Sequence, residues 1–95
     1  MRQWAMAILI DAPTWPGRGG LWSHLASDTS LAELHAFARA HAIPARGFER
    51  DHYDVPAHAY ELLVQAGARP VTSREIVRAL TTAGLRRRKR GATRC

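Results

Sequence analysis

The sequence predicts a small α/β domain with the element order β-α-β-α-β-α, built in two or three layers around a short, mostly parallel three-stranded sheet. Three observations lead to this fold class. An almost wholly apolar run lies near the start of the chain, and two capping-box motifs each open a segment with helical apolar spacing. Short helical crossovers between strands also favour parallel pairing and right-handed connections. The 95 residues suffice for one domain with a single modest core.

The first half of the chain predicts one strand, a loop and one helix. Residues 4–11 are almost wholly apolar, which is typical of a strand covered on both faces. Residues 12–20 hold two prolines and three glycines and predict a loop, and residues 22–25 then predict a short helical turn. A capping box opens the helix predicted over residues 30–42.

The second half predicts two strands and two helices. A strand with little apolar content is predicted over residues 47–52, and the helix over residues 56–66 has a proline in its first turn. Residues 68–71 predict the third strand. The second capping box opens a helix over residues 72–84, which ends at a glycine.

The net charge of +6 belongs to the end of the chain. Six of the 14 basic residues and none of the 8 acidic ones lie in residues 86–95, so residues 1–85 are neutral overall. We expect one folded domain over residues 1–85 and a basic, disordered tail over residues 86–95. Such a tail can hold a phosphate backbone, which makes nucleic acid a candidate partner, although many basic runs are simply solvated. The tail residues expected to contact nucleic acid are Arg86, Arg87, Arg88, Lys89 and Arg90.

Cysteine content and hydropathy exclude several classes of protein. The one cysteine is residue 95, which excludes an intrachain disulfide and a cysteine metal cluster. The longest apolar run, residues 4–10, is too short to span a membrane and lacks a signal-cleavage site. We therefore expect a cytoplasmic protein without a membrane partner. A sheet of three short strands has open edges that a second copy could cover, so a homodimer fits the prediction.

The densest chemistry lies in residues 50–54, Arg-Asp-His-Tyr-Asp, where a connection requires only turn residues. In parallel sheets, ligands bind beyond the carboxyl ends of the strands, where helix N-termini also point. Asp11 ends the first predicted strand, and Ser73 and Arg74 follow the third. We therefore expect these three pieces of sequence to converge at one edge, where Ser73 and Arg74 could hold an anionic group.

Four residues are the candidates for catalysis: His52, Asp54, Asp11 and His24. His52 suits a general base or metal ligand, because histidine titrates near neutral pH and flanking acids would fix its tautomer. Asp11 and Asp54 would bind or orient, and His24 would be a second ligand or acid. The carboxylates have competing duties as caps of the turn or helix that follows them. Because His and Asp residues fit a hydrogen-bond network equally well, the sequence leaves open whether a divalent metal binds.

The remaining candidates are ligand-binding residues around this edge. Trp15 and Trp22 flank the Gly/Pro loop and could stack on a base or sugar, although packing explains at least one of them. His24 and Asp28 would share a face of the predicted helical turn, and His35 lies beside an apolar stripe, which favours a semi-buried histidine. The predicted ligand-binding residues are Trp15, Trp22, Ser23, Asp28, His35, Arg50, Asp51, Tyr53, Ser73 and Arg74.

Several short motifs occur together in a recognisable order. They are Asp11, residues 23–24 (Ser-His), 28–29 (Asp-Thr), 33–36 (Glu-Leu-His-Ala), 51–54 (Asp-His-Tyr-Asp) and 66–68 (Ala-Gly-Ala). Over about residues 6–85 the chain resembles the bacterial and phage family catalogued as domain of unknown function 4031. Members often start near Met6, which would make residues 1–5 an upstream extension, and the basic tail lies outside the resemblance. The resemblance supports the fold and the choice of site residues and implies no particular reaction.

Two functions of different classes follow. The first is a small-molecule ligand-binding or processing domain with its Asp/His site at the carboxyl ends of the strands, for a phosphate-containing or nucleotide ligand, with catalysis undecided. The second is a non-catalytic interaction module whose basic tail binds nucleic acid.

Overall fold

The computed structural model describes residues 7–86 and shows in them a mixed α/β domain of six strands and three helices. The strands are β1 (Ile8–Ile10), β2 (Trp15–Gly17), β3 (Gly20–Ser27), β4 (Phe48–Glu49), β5 (His52–Pro56) and β6 (Arg69–Pro70). The helices are α1 (Leu31–Ala40), α2 (Tyr60–Gln65) and α3 (Ser73–Thr82). Among these residues no helix is long and apolar enough to cross a membrane.

The strands form one mixed sheet in the order β4-β5-β3-β1-β6, and β2 pairs with β3 outside this path. The central strand β3 runs antiparallel to β1, β2 and β5, and β4 runs antiparallel to β5. Within residues 7–86, β1 and β6 form the parallel pair of the sheet. The α/β class is confirmed, but the prediction of a mostly parallel three-stranded sheet is wrong.

The first departure from the prediction lies between residues 12 and 27. The segment predicted as a loop contains β2, and the predicted helical turn at residues 22–25 belongs to β3. Arg18 and Gly19 reverse the chain between the two strands, and Gly19 and the following Gly20 have φ angles of 82° and 138°, which only glycine adopts readily. The glycines therefore mark a tight hairpin rather than an irregular loop.

The second departure concerns the predicted strand over residues 47–52. It is divided into β4 and β5 by a two-residue turn at Arg50 and Asp51, across which Glu49 pairs with His52. Arg50 has a φ of 61°, which lies in the left-handed region. This conformation is unfavourable for any residue that carries a Cβ atom. The His-Tyr-Asp block therefore lies inside a strand rather than beyond the carboxyl end of one.

The helices lie where the sequence predicts them. Ser30 caps α1 by accepting a hydrogen bond from the Glu33 amide at 3.1 Å. Thr72 and Glu75 form the full reciprocal capping box at the start of α3. A 3-10 turn, Ala57–Ala59, precedes α2, so the regular helix starts later than the proline that signals it.

All three helices end in the same way. The second residue after each helix has a positive φ, 56° at Ala42, 119° at Gly67 and 77° at Gly84. In each case the next amide donates a hydrogen bond to the carbonyl five residues earlier, which is the Schellman arrangement. Glycine fills this position without strain after α2 and α3, whereas Ala42 carries a Cβ in the left-handed region.

The sheet has an apolar core on each face. On one face α1 and α2 pack through Leu34, Ala38 and Leu63 against side chains of β1, β3 and β5. On the other face Ile76 and Leu80 of α3 pack against β1 and β3. Because α3 covers only part of this second face of the sheet, the polar side chains that β3 and β5 present on that face stay partly exposed.

Candidate functional site

Three polar side chains lie together on the face that α3 leaves open. His24 in β3 is the direct partner of Asp54 in β5, and His52 precedes Asp54 by two residues. Since side chains alternate along a strand, all three lie on the same face, while Tyr53 and Val55 point into the opposite core. The side chains of His24, His52 and Asp54 are 27%, 14% and 45% exposed, so a ligand can reach the cluster.

Asp11, which directly follows β1, holds His24 in place. Its carboxylate is 1% exposed and accepts hydrogen bonds from the His24 amide at 2.7 Å and from the His24 Nδ1 at 2.8 Å. The Ser73 hydroxyl donates to it at 2.6 Å and the Trp15 indole at 3.2 Å. An ionised carboxylate only accepts, so His24 Nδ1 carries a proton and Nε2 is the ring nitrogen available for chemistry.

This contact changes the pKa of both partners. Burial raises the pKa of the Asp11 carboxyl, but the hydrogen bonds from His24 and Ser73 outweigh burial and lower it below its ordinary value. The hydrogen bond to Asp11 raises the pKa of the His24 imidazole, against the effect of burial. The negative charges of Asp11 and Asp54 raise it further.

Asp51 holds His52 in the same manner. It is 2% exposed in the turn before β5, and His52 Nδ1 donates to it at 2.8 Å. Arg86, just after α3, donates to the same carboxylate from Nε at 2.8 Å and from Nη2 at 2.9 Å. Burial raises the pKa of the Asp51 carboxyl, but the hydrogen bonds from Arg86 and His52 outweigh it and lower the pKa below its ordinary value. The other ring nitrogen, Nε2, faces Asp54.

The two histidines meet at Asp54. His52 Nε2 lies 3.2 Å from Asp54 Oδ1, and the centroids of the His24 and His52 rings are 5.0 Å apart at an angle of 81°. One ligand atom from each of the three residues lies within 4.8 Å of the other two. Two imidazoles, each oriented by a buried carboxylate, and one carboxylate therefore form a compact donor set. We call these three residues the His24 cluster.

A cleft of about 930 Å³ opens beside the His24 cluster, with His24 and Asp54 in its wall. Its volume falls in the range of small-molecule sites. Trp15 packs edge-on against the His24 ring, with centroids 5.0 Å apart. The indoles and cations along the cleft are Trp15, Trp22, Arg18 and Arg46.

Three of the predicted ligand-binding residues have duties elsewhere. Ser23 is fully buried on the opposite face of the sheet, where its hydroxyl has no hydrogen-bond partner within residues 7–86. Asp28 accepts a hydrogen bond from the Ala7 amide at 2.8 Å and thereby fastens the start of β1. His35 Nδ1 lies 2.7 Å from the Tyr53 hydroxyl, so these two residues form a polar contact beside the core.

The other predicted residues have separate positions. Ser73 joins the site through Asp11, whereas Arg74 is exposed in the first turn of α3 and Arg50 is exposed in the β4–β5 turn. Arg86, assigned from sequence to the tail, lies in the site through Asp51, a contact that no local pattern signals. The other four tail residues named above, 87–90, lie outside the described residues.

Fold and site together define a small mixed α/β domain with a His/Asp cluster on an open sheet face beside a cleft. The family model described as protein of unknown function (DUF4031) matches residues 8–83, most of the chain, and the chain belongs to this family. This match confirms the resemblance drawn from the motifs. Nothing among the curated proteins or the solved structures matches the chain.

Proposed function

We propose that this domain binds and processes a small phosphate-containing ligand in the cleft, with the His24 cluster as the point of chemistry. The proposal rests on one observation above all. Two buried aspartates, Asp11 and Asp51, each hold the Nδ1 of a histidine on the same open face. This leaves Nε2 of each histidine as the ring nitrogen that can act on a ligand, with Asp54 beside Nε2 of His52.

Folding alone gives little reason for this arrangement. Burying a carboxylate costs several kcal/mol unless ion pairs and hydrogen bonds offset the lost hydration. Here two carboxylates are buried, and each holds a histidine ring that is partly exposed and that no helix within residues 7–86 covers. Groups with perturbed pKa values beside a cleft are more often found at sites of chemistry than elsewhere.

The cleft supports the ligand class. Arg18 and Arg46 in its wall carry positive charge, which suits phosphate oxygens. The exposed Trp15 and the half-buried Trp22 offer ring faces to a base or sugar. A nucleotide combines these two features, and it is the ligand we would examine first.

Ring-nitrogen NMR of the histidines tests the proposal directly. We expect inorganic phosphate or a member of a mononucleotide panel to shift the signals of His24 and His52 while His35, bonded to Tyr53 near the core, stays unchanged as an internal control. The titration is run once with chelator and once with added Zn²⁺. If no ligand moves either signal or the Tm under both conditions, the proposed function is wrong.

A further inference from the structure

We propose that the His24 cluster binds a divalent transition-metal ion of the Zn²⁺ type, through Nε2 of His24, Nε2 of His52 and the carboxylate of Asp54. The ion would lie between the cluster and the cleft, so its role in acting on a ligand rests on the proposed function.

The donor atoms are close to the spacing that a metal ion requires. With metal–nitrogen bonds of about 2.0–2.1 Å, neighbouring ligands of a tetrahedral ion lie roughly 3.4 Å apart. His52 Nε2 and Asp54 Oδ1 are already 3.2 Å apart, and one possible ligand atom of each of the three residues lies within 4.8 Å of those of the other two. The contraction still needed is on the order of 1 Å. Asp54 can supply part of it, since its side chain is 45% exposed.

The surroundings of both histidines match those of metal ligands. Metal-binding histidines almost always donate their second ring N–H to a carboxylate, a carbonyl or water, which fixes the ring and makes the ligating nitrogen more basic. Asp11 and Asp51 provide this contact at 2.8 Å each. Ser73 braces the first carboxylate and Arg86 the second, so the rings are oriented before any ion arrives.

The type and number of ligands indicate which ion fits. Imidazole suits Zn²⁺ and its transition-metal neighbours, whereas Mg²⁺ and Ca²⁺ prefer all-oxygen sites. Three protein ligands leave a fourth position of a tetrahedral ion open, as in catalytic zinc sites. Because His24 and Asp54 line the cleft, that position would be accessible to water or a phosphate oxygen.

The test is metal titration of the full chain by calorimetry, with Co²⁺ as a spectroscopic probe of coordination. The background is Cys95→Ser, which removes the one thiol that could bind Zn²⁺ independently. We expect one ion per chain and a visible Co²⁺ spectrum typical of low coordination number. His24→Ala and His52→Ala should each weaken binding by at least roughly 100-fold, which exceeds the effect of losing an outer-shell partner.

Two further variants separate ligation from folding. Asp54→Asn changes a half-exposed side chain, so it should weaken metal binding while leaving the fold intact even if a histidine variant fails to fold. Asp51→Asn keeps all three ligands and removes the brace of His52, and we expect it to weaken binding by roughly 10–100-fold. The matched control is Glu61→Gln, the same carboxylate-to-amide change at an exposed residue outside the cluster and the cleft, and it should leave affinity unchanged.

The outcomes for the ion and for the ligand are distinguishable. Affinity that is unchanged in the His24, His52 and Asp54 variants, or an absence of binding in the parent, overturns the metal site. If phosphate ligands then still shift the histidine signals in chelator, the proposed function survives without the ion. If Zn²⁺ binds as described and no phosphate ligand does, the metal site stands and the proposed ligand class falls.

Discussion

Replacing Asp11 by Asn should destabilise the domain more than the same change at Asp54. The buried carboxylate accepts four hydrogen bonds, two of them from His24 at 2.7 and 2.8 Å. Asparagine keeps one accepting oxygen and replaces the other with an amide NH₂, which cannot accept from the Ser73 hydroxyl, the Trp15 indole or His24 Nδ1. Those donors must rotate away or stay unsatisfied.

The size of the loss follows from these contacts. A hydrogen bond to a charged group contributes about 1.5–3 kcal/mol, and an unsatisfied buried donor costs about 1–3 kcal/mol. The Ser73 hydroxyl can rotate, His24 can change tautomer and the Trp15 contact is long at 3.2 Å, so these costs do not add fully. We expect Asp11→Asn to lower the free energy of unfolding by about 2–4 kcal/mol. Asp54→Asn, the same change at a side chain that is 45% exposed, should cost under about 1 kcal/mol.

The effect should also depend on pH in a defined direction. Because the pKa of His24 is raised from about 6.5, its contribution to stability is complete below that pH and is lost as the pH rises through the folded-state pKa. Because the pKa of Asp11 is lowered from about 3.8, its contribution is present above that pH and is lost as the pH falls through the folded-state pKa. The destabilisation by Asp11→Asn should therefore be larger near pH 6 than near pH 9.

Urea denaturation of the parent and of the Asp11→Asn protein, in chelator and at a series of pH values, measures the loss of stability at each pH. The Asp54→Asn protein at the same pH values is the matched control. A loss below about 1 kcal/mol for Asp11→Asn at pH 6, with no change between pH 6 and 9, would refute the described role of Asp11.

The remaining predictions concern stability and are read from urea denaturation. Ala42→Gly should stabilise the domain by about 0.5–1 kcal/mol, because it relieves the left-handed φ of 56° after α1. Gly84→Ala, at the equivalent position after α3, should destabilise it by about 1 kcal/mol. The two substitutions must therefore change the free energy of unfolding in opposite directions. Arg86→Ala should lower the free energy of unfolding by about 2–4 kcal/mol, because it leaves the buried Asp51 without its cation. Arg86→Lys should recover less than half of that loss, since lysine cannot donate the two parallel hydrogen bonds that the guanidinium makes. Equal stability of the two Arg86 variants and the parent would contradict this.

The helices were predictable because their signals are local. Ser30 and Thr72 each lie three residues before a glutamate, and the capping contacts they make involve the same short segments that the sequence displays. The sheet was not predictable in the same way. The β4–β5 turn contains Arg50 and Asp51 instead of the glycine or asparagine that usually marks a hairpin, so the sequence gives no sign of a chain reversal there.

The residues of the site could be predicted from the sequence, but the contacts between them could not. Asp11 could be selected because it ends an apolar run, and His24, His52 and Asp54 because their side chains are suited to proton transfer or metal binding. Their pairing depends on contacts between distant segments, and Arg86 is 35 residues from the Asp51 carboxylate it binds. No periodicity within one segment encodes such a contact.

The arrangement of β3 beside β5 has a consequence for how this family can vary. Because His24 faces Asp54 across the two strands, inserting or deleting one residue within β5 would exchange the sheet faces of its side chains. His52 and Asp54 would then point into the α1–α2 core, and Tyr53 and Val55 would point to solvent. A change in the length of β5 should therefore disrupt both the packing of the core and the geometry of the His24 cluster.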